Sequence, residues 1–270
     1  MVHFPTAEEL VNLWATNRCP GVLKFEELGL VVKIGHREYH RVRLDEASAL
    51  RFIKQSYPLG EVPVPQIYGF RSHKQYNLLY MSHVPGQTLM QAWPDMVKAE
   101  KEVIASQLNS IVVALRSLTH VTRPHLIGSA DDGPERDMFL RWTHQAGGHD
   151  SVSSFHDMLS EYTIPAVTRS EAFVDPYREL LPDDSRVFFS HADLTPTNII
   201  VAGPRGERRI SSVIDWEQAG WYPEYWEYCK LNIGCPDDHE WRSEGWADKV
   251  IQVYSDELYA LAEYWQIRPP

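Results

Sequence analysis

Two carboxylates and one amide lie close together late in the 270-residue chain. Asp193 and Asn198 belong to the loop HADLTPTN (191–198), and Asp215 follows the apolar pair Val213-Ile214. An amide oxygen and a carboxylate that converge near a cleft suit Mg²⁺, a hard cation that prefers oxygen ligands. A further aspartate beside them can orient a hydroxyl group and accept its proton. These groups together are what phosphoryl transfer from a nucleotide requires.

Each of the three residues also has an ordinary structural interpretation. Asp193 and Asn198 are common turn formers, and Asp215 is a suitable cap at the end of a strand. The pattern H-x-D-x4-N, followed by a carboxylate after an apolar strand, is much less expected by chance than any single member. The combination therefore favours the catalytic interpretation.

A lysine and a glutamate in the early part of the chain form a second, independent signal. Lys33 falls inside the apolar stretch Val31-Val32-Lys33-Ile34, and Glu46 lies on the apolar face of the next predicted helix. Burying either charge alone is costly, so each needs a partner, and the economical solution is that they pair. Kinases use such a pair to aim an ammonium group at nucleotide phosphates. The alternative is that Lys33 faces solvent from an edge strand while Glu46 is an ordinary first-turn acid.

The elements that must position these residues fall into two groups. The early part is strand-rich up to a break at Pro85-Gly86, and the later part is mainly helical with one late hairpin. Periodicity and capping patterns predict helices over 6–16, 45–57, 98–118 and 246–265, strands over 22–25, 30–34, 66–70 and 76–83, and a hairpin over 199–214. Such a two-lobed α+β layout places a cleft at the junction, where ligand sites are common.

These motifs resemble those of the aminoglycoside phosphotransferase and choline kinase family, the small-molecule branch of the protein-kinase-like fold. The segment FSHADLTPTNIIV (189–201) followed by VIDWE (213–217) is similar to that family's catalytic loop and metal-binding motif. The early segments VVK (31–33), EASAL (46–50) and LLYMSHVPG (78–86) are similar to its nucleotide lobe and hinge. The resemblance implies a small antiparallel-sheet N-lobe over 1–84 and a larger, mainly helical C-lobe over 85–270.

The same resemblance implies a role for each matching residue. Asp193 would be the catalytic aspartate, and Asn198 and Asp215 would hold Mg²⁺. Lys33 would bind the phosphates of ATP and be steadied by Glu46. The backbone groups of Ser82 and Val84 would receive the adenine. Glu227, in the segment PEYWE (223–227), is interpreted as part of the scaffold.

Three departures from the kinase pattern narrow the expected function. No glycine-rich phosphate loop precedes Lys33, and the turn NRCPG (17–21) is the only candidate for a phosphate lid. The metal motif reads Asp-Trp-Glu, and no peptide-docking segment follows it. The expected activity is therefore phosphorylation of a hydroxyl group on a small molecule, with ATP and Mg²⁺. The alternative is a catalytically silent, kinase-like nucleotide-binding module. Acceptor identity, ATP versus GTP, and oligomeric state stay open.

Composition excludes several other classes of function. Lys and Arg total 26 against 37 Asp and Glu, which gives a net charge of −11 and argues against nucleic acid or an anionic membrane as a partner. No apolar run approaches the length of a membrane helix, and no secretion signal is visible. The three cysteines lack metal-binding or disulfide spacing, so a cytoplasmic location is expected.

Overall fold

The computed structural model describes the chain over residues 4–17, 21–37, 42, 44–140, 147–164 and 174–267. The early part forms a four-stranded antiparallel sheet with a helix on each face. Its elements are α1 (Ala7–Asn17), β1 (Val22–Phe25), β2 (Leu30–His36), α2 (Leu44–Ser56), β3 (Ile67–His73) and β4 (Tyr76–Ser82). The strand order is β1-β2-β4-β3, so β2 is an interior strand with neighbours on both sides.

Alternation along β2 decides which face of this sheet each helix covers. Leu30, Val32 and Ile34 pack with Leu10 of α1 in one apolar cluster. Val31 packs instead with Ala47 of α2, because successive side chains of a strand point to opposite faces. Lys33 shares the face of Val31 and therefore points to the α2 side of the sheet. The first helix begins with the expected capping box, in which Glu9 accepts a hydrogen bond from the backbone N–H of Thr6 at 2.7 Å.

The later part of the chain is mainly helical and contains two short sheets. Its helices are α3 (Leu89–Ala92), α4 (Lys98–Ser117), α5 (Val152–Thr163), α6 (Trp226–Ile233), α7 (Glu240–Ser243) and α8 (Ser255–Ile267). Its strands are β5 (Gln87–Thr88), β6 (Gly128–Ser129), β7 (Val187–Ser190), β8 (Ile199–Ala202), β9 (Arg209–Val213) and β10 (Gly220–Pro223). One sheet has the order β5-β8-β9 and the other has the order β6-β10-β7. The hairpin predicted over 199–214 is thus present as β8 and β9.

The helix expected over 246–265 is wrong in its first half. Only Ser255–Ile267 is α-helical, and the preceding part contains a single short turn of 3₁₀ helix at Ala247–Lys249. Val250, Ile251 and Tyr254 are buried there as core residues, so their apolar character reflects packing rather than a helical stripe. Strand β10 was not predicted, because its aromatic residues also fit a helix.

Most of the aromatic residues of the later part belong to one large core. Trp216, Trp221, Tyr222, Tyr225 and Trp226 are all at least 96% buried. The described cysteines, Cys229 and Cys235, are buried and free, and Cys19 lies outside the described residues. Within the described residues, none of the helices combines the length and apolarity that crossing a bilayer requires.

Candidate active site

Lys33 connects the early sheet to the late hairpin through two carboxylates. Its ammonium nitrogen Nζ donates to both carboxylate oxygens of Glu46, at 2.7 and 2.8 Å, and to Oδ1 of Asp215 at 2.6 Å. The Lys33 side chain is 13% exposed, Glu46 is 2% exposed, and Asp215 is 36% exposed. The predicted Lys33–Glu46 pairing is therefore present, and the edge-strand alternative is wrong because β2 is interior and Lys33 is nearly buried.

The charges around Lys33 support one another. Burial alone disfavours the ammonium ion, but the adjacent carboxylates of Glu46 and Asp215 outweigh that effect and raise the pKa of Lys33. Burial likewise raises the pKa of Glu46, which the lysine opposes. The backbone N–H of Trp216 also donates to Glu46, so α2 is hydrogen-bonded to the turn that follows β9. A shift of α2 would therefore disturb Lys33 and Asp215 together.

Asp193 and Asn198 face each other across the loop between β7 and β8. The side-chain amide nitrogen of Asn198 donates to Oδ2 of Asp193 at 2.8 Å and to its backbone oxygen at 2.9 Å. These hydrogen bonds fix the orientation of the Asp193 carboxylate, and the Oδ1 atom of the same Asn198 amide points away from Asp193. The backbone N–H of Ile214 donates to the Asn198 carbonyl at 2.8 Å, which fixes the loop directly beside Asp215.

His191 and Glu227 stabilise the loop between β7 and β8 through hydrogen bonds to its backbone. The Nδ1 atom of His191 accepts the backbone N–H of Asp193, and its Nε2 atom lies 3.0 Å from the carbonyl of Ile214. Nε2 must carry the proton, because only a donor can bond that carbonyl. Burial lowers the pKa of His191 to about 4, so the ring is neutral at pH 7. This arrangement fits a structural role for His191, as expected.

The Glu227 carboxylate accepts two backbone N–H groups of the catalytic-loop segment, from His191 at 2.6 Å and from Ala192 at 3.2 Å. Ala192 has a φ of 61°, a left-handed conformation that is unfavourable for a residue with a side chain. The two hydrogen bonds that the buried Glu227 carboxylate accepts offset that cost. Burial raises the pKa of Glu227 to about 7.

A second residue in a left-handed conformation is Asp215, with a φ of 67°. The turn that it begins brings Glu217 back toward the site. Carboxylate oxygens of Glu46, Asp215 and Glu217 all lie within 4.8 Å of one another. Burial, together with the charge of Asp215, raises the pKa of Glu217 to about 7. Sequence reasoning noted the Asp-Trp-Glu motif but assigned no role to Glu217, although the two-residue spacing of its acids was the available signal.

The surroundings of Asp193 also shift the pKa of its carboxyl group. Burial raises the pKa of Asp193 to about 6, and the positive charge of Lys230 opposes that rise. Lys230 projects from α6 and is 5% exposed. Its ammonium group lies 3.0 Å from Asp137, which also accepts the indole N–H of Trp226. Local sequence patterns do not indicate this pair, because Asp137 and Lys230 are separated by 93 positions.

The predicted hinge residues lie at the end of β4, next to the start of β2. The backbone N–H of Ser82 donates to the Gln66 carbonyl at 2.8 Å, and the next residue, His83, donates to Gly29 at 2.9 Å. Val84 is half-buried and precedes β5, which pairs with β8 of the late hairpin. Of the proposed phosphate lid, residues 18–20 lie outside the described residues.

Comparison with known proteins identifies the family of this chain. The model of a phosphotransferase enzyme family (APH) matches residues 23–264, so the chain belongs to that family. Among curated proteins, no sequence matches the chain significantly.

Several solved structures share the fold. Aminoglycoside-3'-phosphotransferase of type VIII is 16% identical, with a TM-score of 0.56 over 97% of this chain and 100% of its own. APH(3'')-Id from Streptomyces rimosus ATCC10970, solved with ADP and streptomycin, is 16% identical, with a TM-score of 0.56 over 97% of each chain. The GDP complex of aminoglycoside 2'-phosphotransferase-IIIa is 15% identical, with a TM-score of 0.58 over 88% of this chain and 77% of its own. The expected α+β, two-lobed, kinase-like fold is thereby confirmed.

Proposed function

We propose that this member of the family transfers the γ-phosphoryl group of ATP to a hydroxyl group of a small molecule, with Mg²⁺. The observation that carries the proposal is the convergence of Lys33 and Glu46, from the early sheet and helix, on Asp215 of the late hairpin. Asp193 and Asn198 lie on the loop that is hydrogen-bonded beside Asp215. A candidate cation ligand, a nearly buried ammonium group and a candidate base thus lie at one junction.

In this reaction Asp193 is the catalytic residue. Its carboxylate orients the attacking hydroxyl group and accepts the proton as the oxygen–phosphorus bond forms and the bond to the leaving ADP breaks. The hydrogen bond from Asn198 keeps that carboxylate in one orientation. Lys33 binds the nucleotide phosphates and is positioned by Glu46. Rate acceleration then comes mainly from placement and electrostatics.

The donor set fits a hard divalent cation. Asn198 Oδ1 and the oxygens of Asp215 are the proposed ligands, and Glu217 contributes a further carboxylate in the same cluster. All are oxygen donors, which is the preference of Mg²⁺. When bound, the cation would neutralise charge on the transferring phosphoryl group.

The hinge and the lobe boundary complete the proposal. Backbone groups of Ser82 and Val84 would receive the adenine, and the chain divides into a nucleotide lobe over 1–84 and a catalytic and acceptor lobe over 85–270. The nucleotide could also be GTP, since similar structures contain ADP in one case and GDP in another. We propose a cytoplasmic protein without a nucleic-acid or membrane partner, in line with its net charge of −11.

The acceptor is proposed only as a hydroxylated small molecule. Similar structures contain streptomycin or kanamycin, and these ligands belong to those proteins. The aromatic residues 221, 222, 225, 226 and 246 are buried in the core of this chain, which disfavours their use as an exposed cage for a cationic amine.

Two variants test the proposal against the silent-module alternative. Asp193→Ala should retain nucleotide binding, measured by thermal shift with ATP and Mg²⁺, while losing phosphate transfer from labelled ATP across a panel of hydroxylated acceptors. Lys33→Met should weaken nucleotide binding itself. Lys24→Met, an exposed lysine on the neighbouring strand β1, is the matched control and should change neither. If the wild type binds nucleotide but shows neither phosphate transfer nor slow ATP hydrolysis, the silent module is favoured.

A further inference from the structure

A groove of about 450 Å³ opens on the side of the early sheet opposite to Lys33. Its floor contains Gly69 of β3 and Tyr80 of β4, which are paired across the two strands. Leu30 borders it from β2 and belongs to the α1 side of the sheet. The other lining residues are 4–7, Leu28, Tyr68, Phe70 and Arg71. None of them belongs to the Lys33–Asp193 site.

Gly69 explains why the sheet is uncovered at this point. A β-carbon built on Gly69 would meet no atom within 4 Å, so a side chain there would extend into open space. The strand is also irregular here, because its register shifts between Ile67 and Gly69. A glycine inside a strand weakens it, and such glycines often mark a place where a ligand approaches the backbone closely.

Two polar groups at the groove have no partner within the described part of the chain. Arg71 lies two residues after Gly69 and is exposed, and it forms no ion pair there. The Tyr80 hydroxyl likewise makes no hydrogen bond to a described residue. The two side chains share one face of the sheet, because Gly69 pairs with Tyr80 and Arg71, two residues further along β3, pairs with Leu78.

We propose that this groove is a binding site for a small organic acid with a flat, apolar body. A guanidinium group presents a fork of donors that matches a carboxylate, and the Tyr80 hydroxyl can donate beside it. Phe4 and Tyr68, which are both more than half exposed, supply aromatic surface for the body of the ligand. The volume lies within the range of ordinary small-molecule pockets, which combine apolar walls with a few polar groups.

The negative net charge of the chain, −11, means that anions do not bind it through general electrostatic attraction, so an anion at Arg71 must be held by local contacts. The proposal is independent of the proposed phosphotransfer, since the two sites share no residue.

The first experiment uses 2-naphthoate as the probe, with isothermal titration calorimetry on the full chain. We expect one molecule bound per chain, with an affinity unchanged by saturating ADP and Mg²⁺. The neutral isostere 2-naphthamide should bind about tenfold more weakly, because it lacks the charge that Arg71 recognises.

Three variants locate the probe. Arg71→Met should bind the acid and the amide equally weakly, and Gly69→Val should bind neither because the new side chain fills the groove. Arg209→Met removes an exposed arginine elsewhere and should bind like the wild type. Unfolding curves without the probe check that each variant is folded.

Four results would overturn the proposal. They are no binding by the wild type, undiminished binding by folded Gly69→Val, and competition between naphthoate and ADP, which would place the probe in the nucleotide cleft. The fourth is self-association in sedimentation experiments that Gly69→Val abolishes, which would make a second copy of the chain the occupant of the groove.

Discussion

At the scale of single residues, the half-buried carboxylate of Asp193 controls the pH range of the proposed reaction. Its pKa is raised to about 6 by burial, with Lys230 opposing the rise. The ionised form is the one that accepts a proton, so activity is present above this pKa and is lost as the pH falls through it.

We therefore expect kcat to fall about tenfold per pH unit below about pH 6. The measurement is a pH–rate profile with Mg²⁺ and nucleotide held in excess and with an acceptor that does not titrate in this range. Asp193→Ala should lack this acidic limb in whatever activity it retains. A limb near the ordinary aspartate pKa would contradict the assignment of Asp193 as the base.

Among structural elements, the loop between β7 and β8 depends most on a single remote side chain. Glu227 of α6 accepts the N–H groups of His191 and Ala192, and Ala192 occupies a left-handed conformation. Without that acceptor, two buried donors would lack partners and the loop would relax away from its present path.

We expect Glu227→Ala to lower the free energy of unfolding by about 3 kcal/mol and to reduce transfer activity strongly. Glu227→Gln keeps an acceptor oxygen and should recover much of both. Urea unfolding and phosphate-transfer rates are the measurements, with the exposed Glu102→Ala on α4 as the control. If Glu227→Ala had normal stability and activity, the loop would be held by other contacts.

Patterns within short stretches of sequence predict the helices and strands better than they predict which of these elements pack together. The helix at 7–17, the strands that carry Lys33 and Ser82, and the late hairpin all follow from capping, alternation and turn residues close in sequence. By contrast, β10 pairs with β6 and β7, which lie far away in the chain, and its aromatic residues carry no period that separates strand from helix. The same limit applies to Lys230 and Asp137, whose contact depends on how α6 packs.

At the scale of the whole molecule, α2 is held to the later part of the chain by more than the Lys33 cluster. Asp45, in its first turn, forms an ion pair of 2.7 Å with Arg136, from the segment that follows β6. The two side chains are 10% and 19% exposed. Because Asp45 is the neighbour of Glu46, this contact orients the end of α2 that positions the buried lysine.

We expect Arg136→Met to raise the KM for ATP several-fold while leaving the KM for the acceptor unchanged. The physical reason is that a loosened α2 positions Glu46, and through it Lys33, less well. Steady-state kinetics with each substrate varied in turn provide the measurement. The exchanged pair Asp45→Arg with Arg136→Asp should restore part of the loss. An equal rise in both KM values would indicate a general structural defect.

The contact between Lys33 and Asp215 has a consequence for the resting protein. The carboxylates of Glu46, Asp215 and Glu217 lie close together. Without a counter-ion, their mutual repulsion would push the strand-rich and helix-rich halves of the chain apart. One lysine, bonded to two of them at once, serves as a built-in counter-ion. On the proposed function, Asp215 and Glu217 would hold the cation, whose charge would neutralise these two carboxylates. Lys33 would then exchange its contact with Asp215 for the phosphates while it stays paired with Glu46, so the junction would be assembled before its ligand binds.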